Sequence, residues 1–389
     1  MDSKNPQVTR RTFLKIGLAG AAVTAIGSRG ISESAASETP VSPQTITPVY
    51  RTLGRTGLKI SVVSFGAMLT PESEVIRASF DYGVNYIDTA RRYMDGKNEE
   101  IIARAIKGLR PNLFLATKTR GTSREKIFQE VEGSLKALAT DYLDVYLIHN
   151  LTNKDKERAL DPKIQEALKE LQKQGKIRFT GVATHTDQVD VIDMVVNDPA
   201  KFYDMVLVGY NFKSGPELKA AIARAAKSGI GIIAMKTQAG GYKTEALGSI
   251  SPHQAALKWA LQDPNITAAI PGMKDMAMLK ENIAVMGMKL TARENRVLDL
   301  YGKAIDPYYC RLCGQCEKTC PQGVSVSVIN RALMYAEAYR EPELALTTYR
   351  ELPAQARATA CRSCSSCVAR CVWGINIDQK MTQANETFA

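Results

Sequence analysis

The chain has 389 residues, 45% hydrophobic and 23% charged, the profile of an ordinary globular protein with room for two or three domains; this excludes a disordered or low-complexity chain. Its formal net charge is +11, but no run of five like charges occurs and aromatics are not interleaved with the basic residues. A nucleic-acid partner is therefore not expected, and the excess charge reads as a solvated surface able to steer an acidic electron-transfer partner.

The first element is Thr9-Arg10-Arg11-Thr12-Phe13-Leu14-Lys15, followed over 16–27 by an apolar stretch too short and too rich in Gly and Ala to span a bilayer. Ser34-Ala35-Ala36 supplies the small residues that precede a cleavage point. Residues 1–36 are expected to be a signal peptide that resembles a twin-arginine export signal, and 37–49, rich in Ser, Thr and Pro, a linker. No later segment is apolar enough for a stable membrane span, so the export machinery is the expected partner of this end and the location is periplasmic or otherwise exported.

After Tyr50, short β-branched runs alternate with amphipathic ones. Strands are expected at 62–67, 86–89, 113–118, 142–149, 179–183, 205–210, 231–236 and 267–271. Residues 125–139 carry Ile127, Val131, Leu135 and Leu138 on one helical face; 163–173 and 217–227 also read as helices, the latter stopped by Gly229. Eight strand–helix units over about 240 residues predict an α/β fold, a closed (β/α)8 TIM barrel over 50–290. An open doubly wound sheet would carry Gly-x-Gly-x-x-Gly after its first strand, and none is there.

Chemistry in such a barrel sits at the C-terminal ends of the strands. Asp88, Lys118 and His149 end three consecutive runs, and Tyr93 follows Asp88 by five residues. Each alone would be a loop polar group; together they describe an acid–base set. A phenol with pKa near ~10 gives up its proton poorly at neutral pH, and Lys118, held by Asp88, is expected to lower that of Tyr93. His149 would orient a carbonyl whose oxygen Tyr93 protonates. His185 after the fifth run, Asn211 after the sixth and Lys236 at the end of the seventh serve either the pocket or the local structure.

These residues carry a resemblance to the aldo-keto reductase superfamily, extending from Tyr50 to Met288. Tyr50-Arg51-Thr52-Leu53-Gly54-Arg55-Thr56-Gly57 resembles its opening β-hairpin, Gly83-Val84-Asn85-Tyr86-Ile87-Asp88-Thr89-Ala90 its first signature, and Ile270-Pro271-Gly272 with Glu281-Asn282 its cofactor segment. The resemblance implies the catalytic tetrad Asp88, Tyr93, Lys118 and His149. It also implies NADP(H) held at Thr184, Tyr210, Met235, Lys236, Pro271, Gly272, Lys274, Glu281 and Asn282. Those contacts are eroded. The family's carboxamide-binding Ser and Asn fall at Ala183 and Thr184, its strand-six Gln at Leu207, its stacking aromatic near Met235, its phosphate-binding Lys-Ser at Gly272-Met273 and its Arg at Met278. Losing contacts of ~1 kcal/mol or more each would weaken nicotinamide binding by orders of magnitude.

All eight cysteines lie in two arrays, Cys310-x2-Cys313-x2-Cys316-x3-Cys320-Pro321 and Cys361-x2-Cys364-x2-Cys367-x3-Cys371, repeated at an offset of 51 residues. The spacing suits neither disulfides nor zinc and resembles bacterial ferredoxins, in which the fourth thiolate crosses to the other [4Fe–4S] cluster. That resemblance implies Cys310, Cys313, Cys316 and Cys371 for one cluster and Cys361, Cys364, Cys367 and Cys320 for the other. Residues 291–389 are thus expected to form a mainly helical ferredoxin-type domain.

The expected function is an exported iron–sulfur oxidoreductase that interconverts a small carbonyl compound and an alcohol, with the clusters relaying electrons from a redox partner protein. Hydride chemistry moves two electrons and clusters pass one; a flavin could broker them, although no flavin motif is visible. The alternative is an electron-transfer protein whose barrel is only a docking scaffold.

Overall fold

The computed structural model describes residues 46–243 and 250–388. The expected signal peptide at 1–36 and most of the linker at 37–49 lie outside the described residues. The first elements, β1 (Tyr50–Thr52) and β2 (Lys59–Ser61), pair antiparallel as a hairpin. Its apolar residues Leu53, Leu58 and Ile60 are buried with Tyr86, Val145 and Ile233 inside the barrel, so the hairpin acts as a plug.

The barrel follows as β3 (Phe65–Gly66), α1 (Ser73–Phe80), β4 (Tyr86–Asp88), α2 (Lys97–Ile106), β5 (Phe114–Thr119), α3 (Arg124–Leu138), β6 (Leu143–Leu151), α4 (Pro162–Lys173), β7 (Ile177–Thr184), α5 (Gln188–Val196), β8 (Met205–Gly209), α6 (Pro216–Lys227), β9 (Gly231–Met235), α7 (Pro252–Leu261), β10 (Ala268–Ala269) and α8 (Met276–Ile283). Strands β3 to β10 pair in parallel in chain order. Bridges from Val63 to Ala269 and from Gly66 to Gly272 join the last strand to the first. The sheet closes, and all eight expected strands are present within three residues of their expected ends.

The strand period of two sorts the side chains. Tyr86, Ala116, Val145, Leu147, Ala183, Leu207 and Ile233 fill the interior, while Ile87, Leu115, Tyr146, Ile148 and Val182 meet the surrounding helices. Apart from Tyr86, the interior set is small or branched, as suits a closed eight-stranded barrel.

Beyond the barrel, α9 (Ala292–Ile305) opens on a capping box between Thr291 and Glu294. Glu294 also takes Lys258 Nζ of α7 at 2.6 Å, fastening this helix to the barrel wall. The cysteine arrays then alternate with α10 (Val326–Glu337), α11 (Pro342–Arg350) and α12 (Ile377–Phe388). These have their own core of Val324, Val326, Ile329, Leu333, Tyr349, Ile375, Ile377 and Met381. A further cluster crosses to the barrel, joining Ala239 after β9 with Tyr301, Tyr309, Met334 and Tyr335.

The plug depends on backbone approach at its tip. Gly54 has φ +48°, and a Cβ there would lie 2.3 Å from Gly231 N and 2.5 Å from Gly229 O, where only backbone could yield. Gly54→Ala is expected to destabilise the protein by about 3 kcal/mol, from left-handed strain plus overpacking, seen as a lower urea midpoint of the circular-dichroism transition.

Candidate active site and cluster sites

Strand parity places the tetrad. In β4, Tyr86 points inward and so does Asp88; in β5, Ala116 is followed two residues on by Lys118; in β6, Val145 and Leu147 are followed by His149. Each inward row ends on a polar residue at the C-terminal mouth. Lys118 Nζ donates to Asp88 Oδ1 and to the Thr89 carbonyl, each at 2.5 Å, and stands 3.5 Å from Tyr93 Oη. The Tyr93 and His149 rings meet edge to face at 6.1 Å between centroids. The loop that carries Tyr93 is fixed from below: Thr89 Oγ1 donates to Asn98 Oδ1 at 2.6 Å, and Asn98 Nδ2 donates to the Ala67 carbonyl at 2.8 Å. The four expected catalytic side chains therefore converge.

Burial dominates the electrostatics. It pushes the Asp88 carboxyl up, with Lys118 only partly offsetting it. Burial by itself pulls Lys118 down, but Asp88 and Tyr93 more than restore it, so the ammonium is held charged. For Tyr93, burial outweighs the pull of Lys118 and the phenol lies above its ordinary value. The expectation of a lowered Tyr93 pKa is thus corrected: the ammonium's two short bonds go to Asp88 and Thr89, leaving the phenol a long contact. His149 lies well below its ordinary value through burial, then the charges of Lys118, Arg120, Arg331 and Arg92, and is neutral at pH 7.

The mouth is not open. Helix α10 of the cysteine-bearing extension lies over it. Lys236 Nζ donates to Tyr335 Oη at 2.9 Å, and Arg331 Nη1 donates to Asn150 Oδ1 at 3.3 Å. Glu351 takes Arg92 at 2.8 Å and Arg120 at 2.9 Å. Burial would raise the Tyr335 phenol, but Lys236 and Arg331 overcome it and the net shift is downward. The phenol lowered by a lysine is the extension's, and sequence reasoning missed it. The available signal was the spacing of Arg331, Tyr335 and Tyr339 at i, i+4 and i+8, one helical face.

A cavity of about 320 Å³ runs from Asp88 and Tyr93 past His185, Met235 and Lys236 to Pro271, Gly272, Lys274, Glu281 and Asn282, roofed by Tyr339 and Arg340. Seven of the nine expected nicotinamide-contact positions line it. Thr184 does not: it is fully buried, with its hydroxyl on the Leu151 and Thr186 carbonyls. Tyr210 does not either: it is turned outward against Trp259 and donates to Asp263 Oδ2 at 2.7 Å. Position 210 follows inward-facing Leu207 by an odd number of residues, and parity takes it out of the pocket. Of the groups that remain, Lys274 pairs with Glu341 of the extension and Asn282 accepts from Gln238 Nε2 at 2.7 Å. The expected phosphate cation already has an anion and no aromatic replaces Met235, so these residues do not fit a dinucleotide held as in the family.

The thiols gather in two sets. Cys310 feels Cys316, Cys313 and Cys371; Cys361 feels Cys320, Cys367 and Cys364. Burial raises all three thiols for which a shift is resolved, Cys316 to about 12 and Cys361 to about 11, with Cys310 higher still. No disulfide joins them. Two sets of four, each completed from the other array, fit clusters that take one thiolate per iron. Cys320, Cys361, Cys364, Cys367 and Cys371 line a cavity of about 680 Å³.

Comparison with known proteins agrees with both parts. The aldo/keto reductase family model matches residues 70–248, the 4Fe-4S dicluster domain model 309–375 and the twin-arginine translocation signal model 7–27. The chain is 36% identical over 175 residues to the aldo-keto reductase YhdN of Bacillus subtilis, covering 38% of this chain and 50% of that protein; it thus spans about half of that relative's length. It is 27% identical over 306 residues to the uncharacterized oxidoreductase YqkF of Bacillus subtilis, covering 65% of this chain and 96% of that one. Among solved structures, the holo form of the aldo-keto reductase AKR11C1 from Bacillus halodurans covers 65% of this chain and 96% of its own at a TM-score of 0.56 and 23% identity, a likeness of fold. The chain carries an aldo/keto reductase domain, a 4Fe-4S dicluster domain and a twin-arginine signal that marks it for export; no described helix is long and apolar enough to cross a membrane.

The crossed thiol sets predict unequal effects of the two fourth cysteines. Cys371→Ala should disturb the set of Cys310, and Cys320→Ala that of Cys361. In anaerobically prepared protein with about eight iron per chain, each variant is expected to lose one cluster signal, and the two should lose different ones by electron paramagnetic resonance.

Proposed function

We propose that this aldo/keto reductase–dicluster protein is an exported oxidoreductase that interconverts a small carbonyl compound and its alcohol, with Tyr93 as the proton donor and acceptor. The observation that carries the reading is the buried Lys118–Asp88 pair, with Nζ at 3.5 Å from Tyr93 Oη and His149 alongside. Reduction of a carbonyl takes up two electrons, delivered one at a time from the redox partner, and two protons, both ultimately from solvent: one reaches oxygen through Tyr93 and the other is bound to carbon. Tyr93 supplies the proton that ends on oxygen. Its raised pKa keeps it protonated through neutral pH, which suits a donor. Lys118 stabilises the phenolate left behind, and Asp88 keeps the ammonium in place. Neutral His149 offers the carbonyl oxygen a hydrogen bond without competing for its proton. The roof of α10 excludes water, which strengthens each of these interactions.

The eight cysteines would hold two [4Fe–4S] clusters, which when bound supply electrons singly from a redox partner. Because the cavity's contacts do not suit NADP(H), no step is assigned to it.

Tyr93→Phe removes the proton while keeping the ring. With reduced methyl viologen as electron source, carbonyl reduction should fall at least ~100-fold at unchanged iron content. Unchanged viologen oxidation by carbonyl compounds in that variant, or no carbonyl turnover by wild type, would leave the scaffold reading. The pH dependence follows from the same shifts. His149 is already neutral below the usual histidine range and Tyr93 still protonated above neutrality, so kcat for reduction should be flat between about pH 6 and pH 8. A histidine-like inflection in that window would contradict the assignment.

A further inference from the structure

Arg331 is an unusual group to find between two domains. It is 6% exposed, and among the described residues no carboxylate pairs with it. Its Nη1 reaches Asn150 Oδ1 at 3.3 Å, a neutral acceptor, while its Nε is buried with no partner at all. Four other cations around the mouth have partners. Lys118 has Asp88, Arg92 and Arg120 share Glu351, and Lys236 has the Tyr335 phenol. Among the described residues no carboxylate offsets the buried charge of Arg331, an arrangement proteins avoid unless an anion completes it.

A second group points to the same place. His185 follows inward-facing Ala183 in the barrel, lines the cavity that holds Tyr93, and its Nδ1 is buried without a partner. Arg331 reaches this end of the barrel through Asn150, the residue after His149, and stands one helical turn before Tyr335, the partner of Lys236; after burial its charge is the strongest influence on His185.

We propose that Arg331 of the dicluster extension, with His185 and Lys236 of the barrel, forms an anion subsite that takes the carboxylate of an oxo-acid or hydroxy-acid substrate while its carbonyl or hydroxyl faces Tyr93 and His149. The inference rests on the carbonyl–alcohol reading of the site and adds its substrate class. Carboxylate is favoured because the unpartnered Nε edge of a guanidinium meets two oxygens side-on, and because one surplus cation calls for one negative charge. The cavity of about 320 Å³ limits the substrate to a small molecule. The subsite exists only when the extension covers the barrel, since its arginine comes from α10.

The test compares oxo acids with their amides, which match them in shape and lack the charge: glyoxylate, pyruvate and 4-oxobutanoate against glyoxylamide, pyruvamide and 4-oxobutanamide. Anaerobic, cluster-loaded protein is titrated calorimetrically. At least one acid is expected to bind tenfold or more tighter than its amide. Arg331→Met should bring that ratio to about one, and Arg331→Lys should restore part of it, with amide affinity unchanged in both. Equal affinities for every acid and amide in wild type, no binding of any acid, or a ratio retained in Arg331→Met at full iron content would overturn the subsite. Should Arg331→Met lose iron, the wild-type ratio and Arg331→Lys decide. Turnover separates this from the underlying reading. Tight binding of an oxo acid that is never reduced by viologen-reduced protein counts against carbonyl chemistry and leaves the subsite standing. Reduction of amides and acids with equal KM does the reverse.

Discussion

The docking of α10 across the barrel mouth is the constraint on which the rest of the site depends. Lys236 is held by Tyr335, Asn150 by Arg331, and Arg92 and Arg120 by Glu351 just beyond α11. Of the barrel residues in that list, Lys236, Arg92 and Arg120 follow the ends of strands and Asn150 lies in β6 just before its end at Leu151. These contacts shut the catalytic end from solvent, and burial is accordingly the largest influence on Asp88, Tyr93, Lys118, His149 and His185 alike. Charges interact several times more strongly in such surroundings than in water. The acid–base properties of the tetrad therefore belong to the two domains together.

The Lys118–Asp88 pair bears on whether the barrel is a catalyst or a platform. A buried ion pair is a weak stabiliser, since apolar residues of similar volume often serve as well or better. This pair goes further in cost, because Asp88 Oδ2 is buried without a partner. A docking platform gains nothing from such an arrangement at the end of two neighbouring strands. A site that must keep one ammonium charged beside a phenol does.

Much of this was legible in the sequence because strands have a strict period. Eight β-branched runs announced the barrel, and the polar residues that end the inward rows announced Asp88, Lys118 and His149. The same rule read against Tyr210 shows why that assignment failed: an odd step from Leu207 turns it outward. The cysteine spacing was legible for a chemical reason, that a cubane takes one thiolate per iron. The pKa of Tyr93 was not. Its sign depends on the balance between burial and a 3.5 Å contact, which no local pattern sets. The role of α10 was hidden for the same reason. Its sequence fixes a helix with Arg331 and Tyr335 on one face, but nothing local says which surface that face will cover.

The extension is also joined to the barrel in a way that bears on the proposed electron flow. Cys310 of one thiol set directly follows Tyr309, whose Oη accepts from Asn211 Nδ2 at 2.7 Å; Asn211 in turn donates to the Lys236 carbonyl at 3.0 Å. A short path of covalent and hydrogen bonds thus ties this set to the barrel mouth. At the second array, Val368 and Val372 lie exposed next to Cys367 and Cys371, with Trp373 partly exposed under the Arg311 guanidinium at 3.6 Å. Cys371 belongs to the Cys310 set, and Val372 and Trp373 beside it line one cavity with Tyr309 and Lys236, so the end of the second array meets the candidate site as well. A module that only stapled the C-terminus would have no need of these links to the barrel mouth. The proposed relay would.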